Sequence, residues 1–204
     1  TGYGSDGQVW GGEFLVADES DFSRRGHLRY VPLPGGERAV REPWRMAASL
    51  LRDAFGGEWT EAAGRLNLGP DQAPVPGGGE ASEACLRLEQ AMGGRIPTPE
   101  TSSLGRIFDG VAALVGLRRR VSFEGQAAME LEALAKGRTG LHLPFAVTDG
   151  GGDVRTPPPQ GGPEIRTLDL RPAVRTIVGA LTEGRPREEI ALAFHNLLPE
   201  AFTA

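Results

Sequence analysis

Apolar positions along this chain switch between short β-type runs and longer helical repeats. Residues 8–17 hold Val9, Trp10, Phe14, Leu15 and Val16 in a β-branched and aromatic run. With residues 25–31 they are expected to form two strands of a hairpin or meander. Pro32 to Gly36 reads as a turn. A helix is expected from Glu42-Pro43, because proline at the first helical position loses no needed N–H. Its stripe is Ala47, Leu50, Leu51, Ala54 and Phe55. Residues 56–80 are rich in loop formers and end in Pro74-Val75-Pro76-Gly77-Gly78-Gly79, so they read as a flexible insertion. Another helix is expected over 81–93. The clearest helix follows Thr101-Ser102-Ser103, which supplies N-caps, and repeats Leu104, Ile107, Phe108, Val111, Ala112 and Val115. A short strand is expected at 119–123 and a helix from Glu124 to Lys136. Strands are expected at 141–148 and 164–169 with a loop over 149–163, followed by helices near 172–183 and 186–198. This order suggests an α+β fold or a split α/β layer.

The first dozen residues change the picture most. Gly2-x-Gly4-x-x-Gly7-x-Val9 matches a glycine-rich phosphate loop, in which missing Cβ atoms let backbone N–H groups approach an anion. A dinucleotide fingerprint needs a strand before the glycines and a helix after them. Here a strand-like run rather than a helix follows the glycines, so that reading fails. A protein-kinase loop needs a lysine two strands on and the His-Arg-Asp and Asp-Phe-Gly motifs. The only lysine is Lys136, and Phe108-Asp109-Gly110 has the wrong order. Two readings stay open: a β-hairpin phosphate loop of the actin-like ATPase kind, or a tight hairpin with no ligand.

Composition adds limits rather than chemistry. The 204 residues suit one sizeable domain or a large part of one. The net charge of −5 leaves no general basic face for nucleic acid. The single cysteine, Cys85, excludes an internal disulfide and a four-cysteine zinc site, and reads as a small buried hydrophobe. No transmembrane run or signal peptide is evident, so no membrane association is expected and the cytoplasm is the expected compartment. A start at Thr1 inside a glycine loop, and a last helix that looks cut short, are expected of a piece of a longer protein. His27, His142 and His195 are isolated from one another, and Asp149 and Asp153 flank three glycines in what reads as an exposed turn.

Several blocks together resemble one family. They are Thr1-Gly2-Tyr3-Gly4-Ser5-Asp6-Gly7 running into Trp10-Gly11-Gly12-Glu13-Phe14; Leu33-Pro34-Gly35-Gly36 with Arg41-Glu42-Pro43-Trp44-Arg45-Met46-Ala47; Thr101 to Asp109; Phe123 to Glu132; and, more weakly, Phe194-His195. In this order they are similar to the HypF carbamoyltransferases of [NiFe]-hydrogenase maturation, and they cover most of the chain. The resemblance implies part of a Kae-like carbamoyl-transfer domain with an actin-like (ribonuclease H-like) fold and helical insertions. It implies carbamoyl phosphate and ATP as substrates, converted elsewhere in the enzyme to carbamoyl-adenylate. The carbamoyl group would then pass to the C-terminal cysteine of HypE, on the way to the cyanide ligand of the hydrogenase iron. A divalent metal (iron or zinc) and magnesium are implied for the full-length enzyme. The family's His-x-x-x-His, the aspartate before the glycine turn and the later Ser-Gly-Gly motif are absent here, and Asp149-Gly150-Gly151 imitates the later Asp-Gly-Gly motif but sits before the last two expected helices and is rejected, so no metal ligand or catalytic residue is assigned and the isolated piece is expected to be inactive.

The same resemblance implies the site residues. Gly105 and Asp109 are expected at the adenosine ribose, with Arg106 beside them. Asp109 stands one turn after Gly105, and the alternative is that it caps the helix or pairs with a neighbouring arginine. Thr1, Gly2, Tyr3 and Gly4 are candidates for phosphate or carbamoyl contact through backbone N–H and the Thr hydroxyl. Glu124 is expected at the start of the next helix, behind the site or simply favoured by the helix dipole. Two other functions remain: an antibiotic-tailoring O-carbamoyltransferase on the same fold, and a non-catalytic interaction scaffold.

Overall fold

A computed structural model describes residues 2–70, 82–95, 98–149 and 165–203. Their eight strands form two four-stranded mixed sheets, and eight α-helices pack around them, which makes the fold α+β. The first sheet runs β1 (Gly2–Tyr3), β2 (Val9–Trp10), β6 (Glu100–Thr101), β5 (Val31–Pro32), with β2 and β6 parallel. The second runs β3 (Glu13–Ala17), β4 (Phe22–Leu28), β8 (Arg166–Asp169), β7 (Ala146–Thr148), with β4 and β8 parallel. The expected strand 8–17 is therefore two strands in two sheets. The break falls at Gly11-Gly12, where an ideal Cβ on Gly12 would lie 2.3 Å from the Ser102 carbonyl and 2.5 Å from Leu28 Cδ1. Backbone meets backbone there, so only glycine fits.

The helices are α1 (Glu37–Arg41), α2 (Pro43–Phe55), α3 (Trp59–Arg65), α4 (Glu83–Gln90), α5 (Leu104–Leu114), α6 (Gln126–Leu134), α7 (Arg171–Thr182) and α8 (Arg187–Thr203). Helices α2 and α5 cross at the centre, through Met46, Ala47 and Leu50 on one side and Ile107, Val111 and Leu114 on the other, all buried. The crossing is close because position 110 is glycine; a Cβ there would sit 3.2 Å from the Met46 carbonyl carbon. Helices α6, α7 and α8 complete the core, with Phe194 of α8 edge-on to Phe108 of α5 at 5.1 Å between centroids.

Several expectations are corrected. Residues 56–65 are not a flexible stretch: a single 3₁₀ turn leads into α3, and Trp59 is 1% exposed. Residues 71–80 of that expected insertion lie outside the described residues. Helix α1 adds a short helix before the expected start at Glu42. Residues 119–123 form no strand; the chain crosses there from α5 to α6, tied by the Val121 N–H donating to the Arg41 carbonyl at 3.0 Å. The strand expected over 141–148 shortens to three residues, and α6 begins at Gln126 rather than Glu124, behind a left-handed Gly125 at φ 83°. The loop expected over 149–163 lies outside the described residues except for Asp149, which pairs with Arg166 at 3.1 Å.

Replacing Gly12 by Ala is expected to cost about 2 kcal/mol or more, because the neighbours of the new Cβ are partly backbone and must shift. Chemical denaturation measures this, and a loss below about 0.5 kcal/mol, the ordinary surface range, would contradict the close approach.

Candidate nucleotide site

The glycine segment folds as a hairpin. Gly2 pairs with Trp10 and Tyr3 with Val9, and the turn is closed by Gly4 N–H to the Gln8 carbonyl at 2.8 Å and Gly7 N–H to the Gly4 carbonyl at 3.0 Å. Opposed residues of an antiparallel ladder alternate between bonded and non-bonded pairs. Gly4 faces its partner strand, so Tyr3 turns its N–H to the open edge of the sheet. The N–H donation expected of Gly4 is therefore not available, because Gln8 already takes it. Tyr3 is 75% exposed on this edge strand. Gly2 is exposed beside it, and Thr1 lies outside the described residues.

Two carboxylates not foreseen as site residues set the hairpin's shape from inside. Glu13 accepts from Gly11 N–H at 2.6 Å, Gly12 N–H at 3.0 Å, Arg24 Nη2 at 3.2 Å and the Ser102 hydroxyl. Asp6 accepts from Gln8 N–H at 3.1 Å, Trp10 Nε1 at 2.8 Å, Arg24 Nη1 at 3.1 Å and the Tyr30 hydroxyl at 2.6 Å. Arg24 also lies over the Trp10 ring, 4.2 Å from its centroid. Burial alone would raise the Asp6 carboxyl, but its hydrogen bonds from Tyr30, Gln8 and Trp10 and the charge of Arg24 hold it below the usual range. The Tyr30 hydroxyl is pushed upward by burial and by Asp6, so it stays a donor. The sequence signal was present: Asp6 and Glu13 are the acids adjoining the glycine run.

The hairpin leads directly to α5. Strand β2 pairs in parallel with β6, Ser102 N–H donates to the Val9 carbonyl at 3.1 Å, and Leu104 N–H to the Gly11 carbonyl at 3.2 Å. Ser103 caps α5, its Oγ accepting from Arg106 N–H at 3.4 Å. The first and third sequence blocks thus meet at the start of one helix.

Along α5, Gly105 is exposed while Arg106 and Asp109 are buried, at 9% and 3% exposure. Arg106 Nη1 stands 3.0 Å from Asp109 Oδ2. The contact is off the line a hydrogen bond needs, so both atoms are buried without a hydrogen-bond partner. Burial pushes the Asp109 carboxyl up to about 6, Arg106 opposes that, and Glu124 adds to it. Glu124 is 3.9 Å from Arg106 Nη2, with a side chain 77% exposed. Gly105, Arg106, Asp109 and Glu124 are therefore brought together, and Asp109 does pair with the neighbouring arginine, imperfectly.

Among the described residues no three His, Cys, Asp or Glu converge as a metal site. His27 Nδ1 contacts the Leu28 carbonyl at 2.8 Å, His195 Nδ1 the Ala191 carbonyl at 2.8 Å, and His142 lies 3.6 Å from Glu200. Cys85 is buried, with its thiol donating to the Leu68 carbonyl at 3.3 Å. Among the described residues no helix is long and apolar enough to cross a membrane.

Residues 1–204 match the family model described as "Carbamoyltransferase, Kae1-like Domain, second subdomain". The crystal structure of full-length HypF in its phosphate- and nucleotide-bound form superposes with a TM-score of 0.75 and 33% identity, covering 96% of this chain and 22% of that one. The crystal structure of T. kodakarensis HypF gives 0.74 and 31%, covering 98% and 24%. Carbamoyltransferase HypF of Rhizobium leguminosarum bv. viciae is 38% identical over 198 residues, 97% of this chain and 22% of the relative. Carbamoyltransferase HypF of Synechocystis is 34% identical, over 97% and 24%. The chain belongs to the HypF carbamoyltransferase family, and it spans less than a quarter of the length of these relatives.

Proposed function

We propose that this chain is the nucleotide-holding part of a carbamoyltransferase that moves the carbamoyl group of carbamoyl-adenylate, made from carbamoyl phosphate and ATP, to the C-terminal cysteine of HypE. The observation that carries the reading is the Arg106–Asp109 pair. Both atoms are buried, close, and short of hydrogen bonds, next to an exposed glycine at a helix start. Buried polar groups normally find partners, and the two ribose hydroxyls of an adenylate supply the donors that Asp109 lacks. Gly105 allows the nucleotide to approach the helix without meeting a side chain. Gly2 and Tyr3 sit at the phosphate end, where the outward Tyr3 N–H donates to an oxyanion. Glu124 stands beside Arg106 on the solvent side, 3.9 Å away.

The kinship to a HypF structure that holds phosphate and nucleotide supports this reading. Iron or zinc, and magnesium, belong to the full-length enzyme. The described residues offer them no converging ligands, so no step here is assigned to a metal. The O-carbamoyltransferase alternative shares the fold, but the matches to HypF proteins favour the first reading, and no feature of the described residues favours a scaffold.

The test is carbamoyl transfer from carbamoyl phosphate and ATP to HypE, followed by mass spectrometry of the HypE C-terminal peptide. The full-length enzyme is expected to carbamoylate that cysteine and the 204-residue chain alone is not. Transfer to a small hydroxylated acceptor but not to HypE would overturn the assignment.

A further inference from the structure

The second sequence block, Leu33 to Gly36 with Arg41 to Ala47, plays no part in the nucleotide site, yet the fold builds a separate charged groove around it. The groove holds about 580 Å³ and lies between the α1–α2 junction, α4 and Arg120. Its hub is Glu42, which sits between α1 and α2. Glu42 bonds Arg45, lies 3.5 Å from Arg38 and 4.0 Å from Arg120. Burial alone would raise Glu42, but these three guanidiniums hold it below the usual range. One carboxylate thus answers three arginines. Among the described lining residues the other acid is Glu83, which is taken by Arg87 at 2.5 Å. Arg38 and Arg120 keep side chains 69% and 63% exposed, with donors to spare.

Trp44 forms part of the wall. It is 3% exposed, and its indole N–H is buried without an acceptor. Buried donors normally find acceptors, and among the described lining residues four arginines face two carboxylates. The volume is in the range of small-molecule sites, roughly 300–1,000 Å³. Guanidiniums and an indole only donate, so a ligand that answered them would be acceptor-rich and negative.

We propose that the groove formed by Arg38, Glu42, Trp44, Arg45 and Arg120 binds the phosphate group of a small phosphorylated ligand, at a place separate from the Arg106–Asp109 site. The two sites share no residue, so failure of either leaves the other standing.

Inorganic phosphate titrated into the chain tests it, with the Trp44 indole proton followed by nuclear magnetic resonance and assigned with Trp44→Phe. The resonance is expected to shift saturably. Arg38→Ala combined with Arg120→Ala, both exposed positions, is expected to weaken binding about tenfold or more with folding intact by circular dichroism. Tighter binding of AMP than of phosphate in the Asp109→Asn background shows that a nucleoside is read too, and equal binding shows that phosphate alone is recognised. No saturable shift, equal affinity in the double arginine variant, or binding of polyglutamate but not phosphate overturns the proposal.

Discussion

Replacing Asp109 by Asn is expected to stabilise the chain at neutral pH and to weaken nucleotide binding. The two effects share one cause. Asp109 is 3% exposed, and burial pushes its carboxyl from 3.8 to about 6 against the pull of Arg106. Below about pH 4 the folded and unfolded chains both hold the proton, and the group contributes no difference. Between about pH 4 and 6 only the folded chain keeps it, so this contribution to stability falls as pH rises. Above about pH 6 the ionised carboxylate sits in its buried site at full cost, on the order of 2 kcal/mol after allowance for local relaxation. The Asn side chain resembles the neutral acid and removes that cost. Denaturant melts of both proteins across this range are expected to coincide near pH 4 and to diverge in favour of the Asp109→Asn variant by about pH 7. A less stable variant at neutral pH would show that the ion pair with Arg106 outweighs desolvation. Asp53 is also raised by burial, while Asp6, Glu42 and Asp169 are lowered. These shape both proteins alike, so only the difference between them reports Asp109. Stability costs of this kind are common where function needs a strained or buried group.

The second large effect is structural. Trp59→Ala is expected to destabilise the chain by about 3–5 kcal/mol, as for other buried Trp truncations. The indole is 1% exposed, and its Nε1 donates to Glu89 at 2.6 Å, joining α3 to α4. Trp59→Phe keeps most of the apolar area and is expected to cost about 1 kcal/mol for the lost hydrogen bond. A loss below about 1 kcal/mol for Trp59→Ala would mean that α3 is not part of the core.

Trp59 also marks where the sequence was hard to read. A glycine pair before it and a proline-glycine tract after it gave residues 56–80 the composition of a loop. Seven helical residues between such signals carry too few periodic positions to stand out, and tertiary burial decides the outcome. Position 12 is a similar case. The hydrophobic run 8–17 gives no warning of a break, because the cause is a carbonyl of residue 102, far away in sequence. The strand expected at 119–123 fails for the same kind of reason, since Val121 bonds to a helix end rather than a strand. By contrast α2, α5 and α7 were legible, because long apolar stripes and clear start signals agree.

The geometry of the candidate site was half legible. The third block placed Gly105, Arg106 and Asp109 on one capped helix, and the glycines do form a hairpin. Spacing could not show that Gly4 N–H is taken by Gln8, or that Asp6, Glu13, Arg24 and Tyr30 close the hairpin from within. Those depend on which side of a two-residue strand faces its partner.

The central claim is that the buried pair on α5 reads an adenosine nucleotide. Calorimetric titration of ATP into the full-length enzyme, wild type and Asp109→Asn, tests it most directly. At least about tenfold weaker binding is expected for the variant, through the loss of charge-assisted hydrogen bonds to the ribose, in a protein that melts at a higher temperature. Equal nucleotide affinity in the two proteins would contradict it.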